Sequence, residues 1–139
     1  MFVEKFASEY YYGTLGVKSM YISNFQDLLV WQKSHQLVRR IYSEVRLPQE
    51  ERYGLESQIR RAAVSVPANI AEGCSRRHNK ELIHFLNIAL GSLNEVKYYV
   101  ILCRDLSFIS VKDYESIYQL CVEVDKMLNS LSYKLRNKE

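Results

Sequence analysis

The feature that most constrains the fold is an unbroken run of apolar residues, spaced three and four apart, near the carboxyl end of the chain. Its members are Tyr114, Ile117, Cys121, Val124, Leu128, Leu131 and Leu135. This spacing places their side chains on one face of an α-helix. Ser110 followed by Asp113 resembles a capping box at the start of that helix. At about 1.5 Å per residue, a helix over 111–136 is on the order of 40 Å long, which exceeds what a compact mixed fold needs.

Three earlier segments show the same period, and together with the last one they predict an all-α, antiparallel up-and-down four-helix bundle over residues 25–139. Their apolar positions fall within 28–45, 55–73 and 79–103. Pro48 blocks extension of the first helix, and Pro67 lies inside the second, where we expect a kink rather than a break. Asn79 suits the N-cap of the third helix.

The opening 24 residues lack this period. They contain Gly13 and Gly16 and a cluster of three consecutive tyrosines at 10–12, with no alternation of polar and apolar residues that would define a strand. We therefore predict a poorly ordered extension over residues 1–24.

Composition places the chain among cytoplasmic globular proteins. No apolar run approaches the length of a membrane span, and the start Met1–Lys5 lacks the basic and then apolar order of a signal peptide. The three cysteines have no CxxC spacing, and their odd number suits a reducing compartment. We expect a cytoplasmic protein with no membrane partner.

Motifs for catalysis and metal binding are absent from the sequence. There is no Gly-rich phosphate loop, and the histidines have no context for a catalytic triad. Glu81 and His84 match the Glu-x-x-His element of di-metal bundles, but no second copy accompanies them, so a solvated helix start is the better interpretation. Cys103 and Cys121 fall on apolar seams and are expected to be inert. We predict no enzymatic activity, no cofactor and no metal site.

Charge is concentrated in one segment. The net charge is +3, and residues 58–80 hold five basic residues against Glu72 alone, while the other segments are close to neutral. The candidate nucleic-acid-binding residues are Arg60, Arg61, Arg76, Arg77 and Lys80. Their basic side chains suit phosphate contacts, and the alternative is a solvated surface with ion pairs to Glu56 or Glu72.

The third helix carries two apolar seams. One contains Phe85, Ala89, Ser92, Val96, Tyr99 and Cys103, and the other contains Leu86, Leu90, Leu93 and Val100. This is more apolar surface than one neighbouring helix covers, and Gly91 and Ser92 allow close approach in mid-helix. The pattern predicts self-association, which would also multiply the basic segment.

Three stretches resemble a known family: FQDLLVWQKSHQLVRRIY at 25–42, LESQIRRAAVSVPANIAEG at 55–73 and FLNIALGSLNE at 85–95. They are similar to the bacterial four-helix bundle proteins that include products of intervening sequences in large-subunit ribosomal RNA genes. The resemblance implies a four-helix bundle, a homopentameric ring, and a relation to retroelement accessory proteins that bind nucleic acid and a reverse transcriptase. Ser75 and His78 depart from the family pattern in the loop after the second helix.

Two functional hypotheses follow. In the first, the protein is a non-catalytic, weakly sequence-specific accessory module that binds RNA or DNA through the basic segment. In the second, it is a protein-interaction scaffold without nucleic-acid binding. In both, a homo-oligomer is expected, with the pentamer preferred from the resemblance.

Overall fold

The protein is an antiparallel bundle of four helices. In a computed structural model the described residues are 11–14, 17–20, 22 and 24–137. The helices are α1 (Leu29–Glu44), α2 (Leu55–Cys74), α3 (Asn79–Asp105) and α4 (Val111–Asn137). Each packs against the next along the chain, and α1 also packs against α4. The predicted all-α, up-and-down four-helix bundle is confirmed.

A short hairpin precedes the bundle. Strand β1 (Tyr11–Thr14) pairs antiparallel with β2 (Val17–Met20), with Tyr11 opposite Met20 and Thr14 opposite Val17. The expectation that the opening segment contains no strand is therefore wrong at these residues. Four-residue strands are too short to show alternation, although tyrosine, threonine and valine favour extended backbone.

The predicted extension over 1–24 is described only in part. Residues 1–10, 15–16, 21 and 23 lie outside the described residues, so poor order there stays a prediction. Ile22 is 5% exposed and belongs to the bundle core. The core therefore begins a few residues ahead of the predicted domain start at 25, a boundary that otherwise stays a prediction.

On α4 the core contains the residues that the periodicity assigns to it, whereas on α1 the fully buried face is Val30, Ser34, Leu37 and Ile41. On α4 the run from Ile117 to Leu135 is buried, and Tyr114 is half-buried against it. Helix α2 continues without a break through the buried Pro67 to Cys74, so the predicted second helix is confirmed. Burial of a large aliphatic side chain contributes about 1.5–3 kcal/mol, so this shared core is the main source of stability.

Of the two predicted helix caps, the structure confirms the one at the start of α4 and contradicts the one at the start of α3. Ser110 Oγ accepts a hydrogen bond from the Asp113 amide at 3.0 Å, which confirms the cap of α4. Asn79 is not the N-cap of α3, because it is already helical and only 6% exposed. His78 occupies the cap instead, and within the described part of the chain its side chain makes no capping hydrogen bond.

Most residues of the two α3 seams are buried inside one chain, where both α2 and α4 pack against α3. The small residues also have local explanations. Ser92 Oγ is 2.7 Å from Ser65 Oγ on α2, and a Cβ at the exposed Gly91 would meet no described atom within 4 Å. Self-association stays a prediction, and the buried Leu86, Leu93 and Val100 of the second seam are not available for it.

Candidate nucleic-acid interface

Because neighbouring helices are antiparallel, consecutive loops lie at opposite ends of the bundle. The Lys97–Asp125 ion pair joins the middles of α3 and α4, and Arg40 of α1 donates to Ser116 Oγ near the start of α4 at 2.8 Å. We call the end formed by residues 24–28, 72–84 and 134–137 the corner end. The opposite end is formed by residues 44–56 and 104–115. This division decides which of the predicted basic residues lie together.

Arg60 lies far from the corner end and is used in packing. At about 1.5 Å per residue, it is about 20 Å from Cys74 at the end of α2. Its guanidinium pairs with Glu56 at 3.0 Å and lies over the Tyr42 ring at 4.7 Å. Its Nε is buried and has no hydrogen-bond partner among the described residues. This position makes Arg60 a poor phosphate ligand.

Arg61 is exposed beside a small polar depression between α2 and α3. Gln58, Ser65 and Glu95 share that depression. Glu95 adds an acidic residue to the lining of that depression, and Arg61 is as remote from the corner end as its neighbour Arg60. The structure does not bring either arginine together with the loop cations.

The other three predicted residues meet at the corner end. Arg76 forms an ion pair with Glu72, and its guanidinium carbon lies 5.0 Å from the centre of the Phe85 ring. Its side chain remains 41% exposed. Arg77 and Lys80 are exposed beside it. These three cations are the part of the predicted set that a polyanion can reach together.

An open cleft of about 610 Å³ lies against the first turns of α3. It is lined by Arg76, Lys80, Glu81, Ile83, His84, Phe85 and Asn87. The rings of His84 and Phe85 meet edge to face, with centroids 5.5 Å apart and planes 73° apart. The cleft thus combines cations with aromatic surface, and its aromatic members were not identified from the sequence.

Close packing of α2 on α3 fixes the position of Phe85. A Cβ built on Gly73 would lie 2.9 Å from Phe85 Cβ and 2.8 Å from Leu82 Cδ1. Only glycine permits this approach without a shift of α3. Gly73 therefore permits the close approach of α2 and α3 at which Phe85 lies beside Arg76.

Two further cations reach the same end from α4. Lys134 and Arg136 lie in the last turn of that helix, and the antiparallel pairing places this turn beside the start of α3. Basic residues at this position also interact favourably with the helix dipole. Their relation to the loop was not predicted from the sequence, although the bundle topology and the length of the α4 pattern together imply it.

The three cysteine thiols are buried, and the pKa of each is raised. Cys74, Cys103 and Cys121 are buried, as predicted for the last two. Burial raises the pKa of Cys74 and Cys121 to about 12 and that of Cys103 to about 11, so all three stay protonated thiols at neutral pH. Within the described stretches, no three histidine, cysteine or acidic side chains form a group able to hold a metal ion. No described helix has the length and hydropathy of a membrane span.

A separate apolar groove runs between the outer faces of α1 and α2. It is lined by Phe25, Trp31, His35, Val38, Val64, Pro67, Ala68 and Ala71. The Trp31 and His35 rings stack with centroids 5.0 Å apart and planes 11° apart. The spacing of three and four predicts one core-facing stripe of α1 through Trp31, His35 and Val38. In the structure these side chains are half-buried or exposed and form a wall that is open to solvent on one side.

Comparison with known proteins identifies relatives of this architecture. The family model described as 23S rRNA-intervening sequence protein matches residues 26–130. The chain also resembles the crystal structure of a protein of unknown function from the S23 ribosomal protein family of Bacteroides thetaiotaomicron VPI-5482. The TM-score is 0.69 at 31% identity, over 75% of this chain and 98% of that one. No curated protein matches the chain. Neither description names a reaction.

Proposed function

The chain belongs to the 23S rRNA-intervening sequence protein family, and we propose that it is a non-catalytic accessory protein that binds nucleic-acid phosphates through the corner end. One observation supports this function above the others, namely the difference in charge between the ends of the bundle. The corner end has five basic and three acidic residues, whereas the opposite end has four basic and seven acidic residues. A polyanion is therefore attracted to one end and repelled from the other.

The cations of the corner end suit backbone contact rather than sequence readout. Arg77 and Lys80 are exposed on a loop and a first helical turn. Guanidinium and ammonium groups match phosphate oxygens, and such contacts carry no direct sequence information. Binding is expected to be weakly sequence-specific and driven by counterion release.

Assembly would strengthen this weak site. One chain carries an excess of only two basic residues at the corner end, so several copies are needed for a continuous phosphate-binding surface. We propose a homo-oligomer, with the pentamer as the form that the family resemblance implies. Sedimentation equilibrium at micromolar concentration should give about five times the 16.4 kDa of one chain, and a mass of one chain would reject assembly.

The function is tested by titrating labelled single- and double-stranded RNA and DNA at about 50 and 200 mM salt. The logarithm of the association constant should fall by about 0.9 per tenfold rise in salt for each duplex phosphate neutralised. Replacing Arg77 and Lys80 with alanine should lower that slope by about 1 for each lost contact. The matched control replaces Arg52 and Lys112, which lie at the opposite end, and should leave the slope unchanged.

The phosphate-binding function is wrong if the wild type shows no salt-dependent binding, or if both double variants lose affinity equally. The second candidate is then a protein-interaction scaffold, which the apolar groove between α1 and α2 favours. A reverse transcriptase is the partner that the family resemblance implies. Trp31, the only tryptophan, lines this groove, so docking should shift its emission, and Val64→Asp at the groove should abolish the shift.

A further inference from the structure

The cleft at the corner end places planar groups beside its cations, and we infer that it binds an unpaired base of a single-stranded nucleic acid together with a neighbouring phosphate. This inference rests on the proposed function and specifies the strand state of its ligand. Four residues carry it: Arg76 and Lys80 supply charge, and His84 and Phe85 supply rings.

The planar groups are layered. Phe85 is half-buried beneath the guanidinium of Arg76 at 5.0 Å, while 41% of the Arg76 side chain is open to solvent. The imidazole of His84 is exposed and stands edge-on to Phe85. A base can stack on the exposed imidazole, because every base has a π-face. The ring of Phe85 supports this surface from below.

The charges around the cleft favour a base over a second phosphate. Lys80 precedes His84 by one helical turn, which places their Cβ atoms about 5–6 Å apart. One nucleotide can therefore contact both side chains. Glu81 also lines the cleft, and its carboxylate repels a phosphate but accepts a hydrogen bond from an amino group of a base. Glu81 therefore weakens a purely anionic site without weakening a site for a base.

A duplex cannot use these planar groups. Its bases are stacked on one another and paired, and only their edges face the grooves. The rings of His84 and Phe85 lie in a cleft against α3, beyond the reach of a base held inside a helix. Unpaired nucleotides expose the faces of their bases, so the structure favours single strands of RNA or DNA over duplexes.

The inference is tested by fluorescence anisotropy on the full chain with four probes of equal length. They are oligocytidine, oligodeoxycytidine, an abasic oligonucleotide with the same phosphates, and a duplex. The wild type should bind the single strands roughly tenfold more tightly than the abasic probe, in keeping with the strength of base stacking on aromatic groups. A difference between the two single strands would show whether the sugar is read.

Two variants separate stacking from charge. His84→Ala should remove the preference for base-containing strands and leave the affinity for the abasic probe unchanged, whereas His84→Phe should retain the preference. Tyr53→Ala is the matched control, because Tyr53 is an exposed ring, 89% accessible, beside Arg52 at the opposite end. That variant should change neither affinity.

Equal binding of abasic and base-containing probes would overturn the inference and leave the phosphate function in place. So would a duplex bound as tightly as a single strand, or an equal loss for all probes in His84→Ala. Failure to bind any probe would overturn both this inference and the proposed function.

Discussion

A glutamate followed four positions later by an arginine occurs at both ends of α2, with different consequences. Glu56–Arg60 and Glu72–Arg76 are both ion pairs across one helical turn, and each guanidinium lies over an aromatic ring. The Glu56 and Arg60 side chains are 12% and 30% exposed, whereas those of Glu72 and Arg76 are 50% and 41% exposed. The first pair is part of the packing between α1 and α2, and the second is open to a ligand. The same Glu–Arg ion pair is therefore part of the packing at one end and open to a ligand at the other, depending on which side chains pack beside it.

The two ends of the bundle share one hydrophobic core, so we expect them to unfold together. The largest predicted effect tests this cooperativity. Leu128 is 1% exposed in α4, and Leu128→Ala should lower the free energy of unfolding by about 2–5 kcal/mol through lost burial and a cavity. Urea unfolding should be followed by Trp31 fluorescence, which reports on the corner end, and by helical circular dichroism. Both signals should shift together, and separate transitions would show that the ends unfold independently.

The second prediction addresses the two ion pairs directly. Arg60→Ala should lower the free energy of unfolding by about 1–2 kcal/mol, because the mostly buried Glu56 carboxylate loses its cation and keeps only the hydrogen bond from the Leu47 amide. It also removes the contact with Tyr42. Arg76→Ala should change stability by less than about 0.5 kcal/mol, since exposed ion pairs contribute little. Similar losses in urea unfolding for the two variants would contradict the assignment of distinct roles.

Replacing Gly73 or Gly91 with alanine should change the stability of the protein in opposite directions. Gly73→Ala places a methyl group against Leu82 and Phe85, and should destabilise by about 1 kcal/mol after the gain in helix propensity is included. Gly91→Ala adds its methyl group in open space on α3 and should stabilise by about 0.5–1 kcal/mol. Thermal unfolding of both variants provides the measurement. A stabilised Gly73→Ala variant would mean that the helices separate freely at the corner end.

The smallest predicted effect is a pH dependence at the opposite end. Arg40 donates hydrogen bonds to Glu44 at 2.6 and 3.0 Å, which hold the pKa of Glu44 below its ordinary value of 4.5. The pair therefore contributes fully above that value and is lost as the pH falls through the lower pKa of the folded state. Glu44→Gln should cost about 0.5 kcal/mol at pH 7.

Urea unfolding between pH 7 and pH 3 measures this dependence. The difference in stability between the wild type and Glu44→Gln should shrink towards zero at the acidic limit. Glu115→Gln, an exposed change at the same end, serves as the control and should show a smaller difference at pH 7. A difference that grows on acidification would contradict the direction of the Glu44 shift.

The helices were predictable because their signal is local. Spacings of three and four place Ile117 to Leu135 on one face whatever the neighbours are, and Pro48 ends a helix through its own ring. The corner cations Arg76, Arg77 and Lys80 were found for the same reason, since charge excess is a property of the sequence. The hairpin at 11–14 and 17–20 was not predicted, because a strand of four residues is too short to show a clear alternation of polar and apolar residues.

The sequence by itself determined that this chain forms four helices and where the long ones lie. It also determined that the excess of basic residues lies in segment 58–80, up to the first turn of α3. Only the tertiary structure decided which of those charges a ligand can reach. It placed Arg60 over Tyr42, brought Lys134 and Arg136 to the corner end, and set Phe85 beneath Arg76. The reason is physical: periodicity depends on neighbours within a few residues along the chain, whereas the accessibility of a side chain depends on helices that are distant in sequence and packed against it.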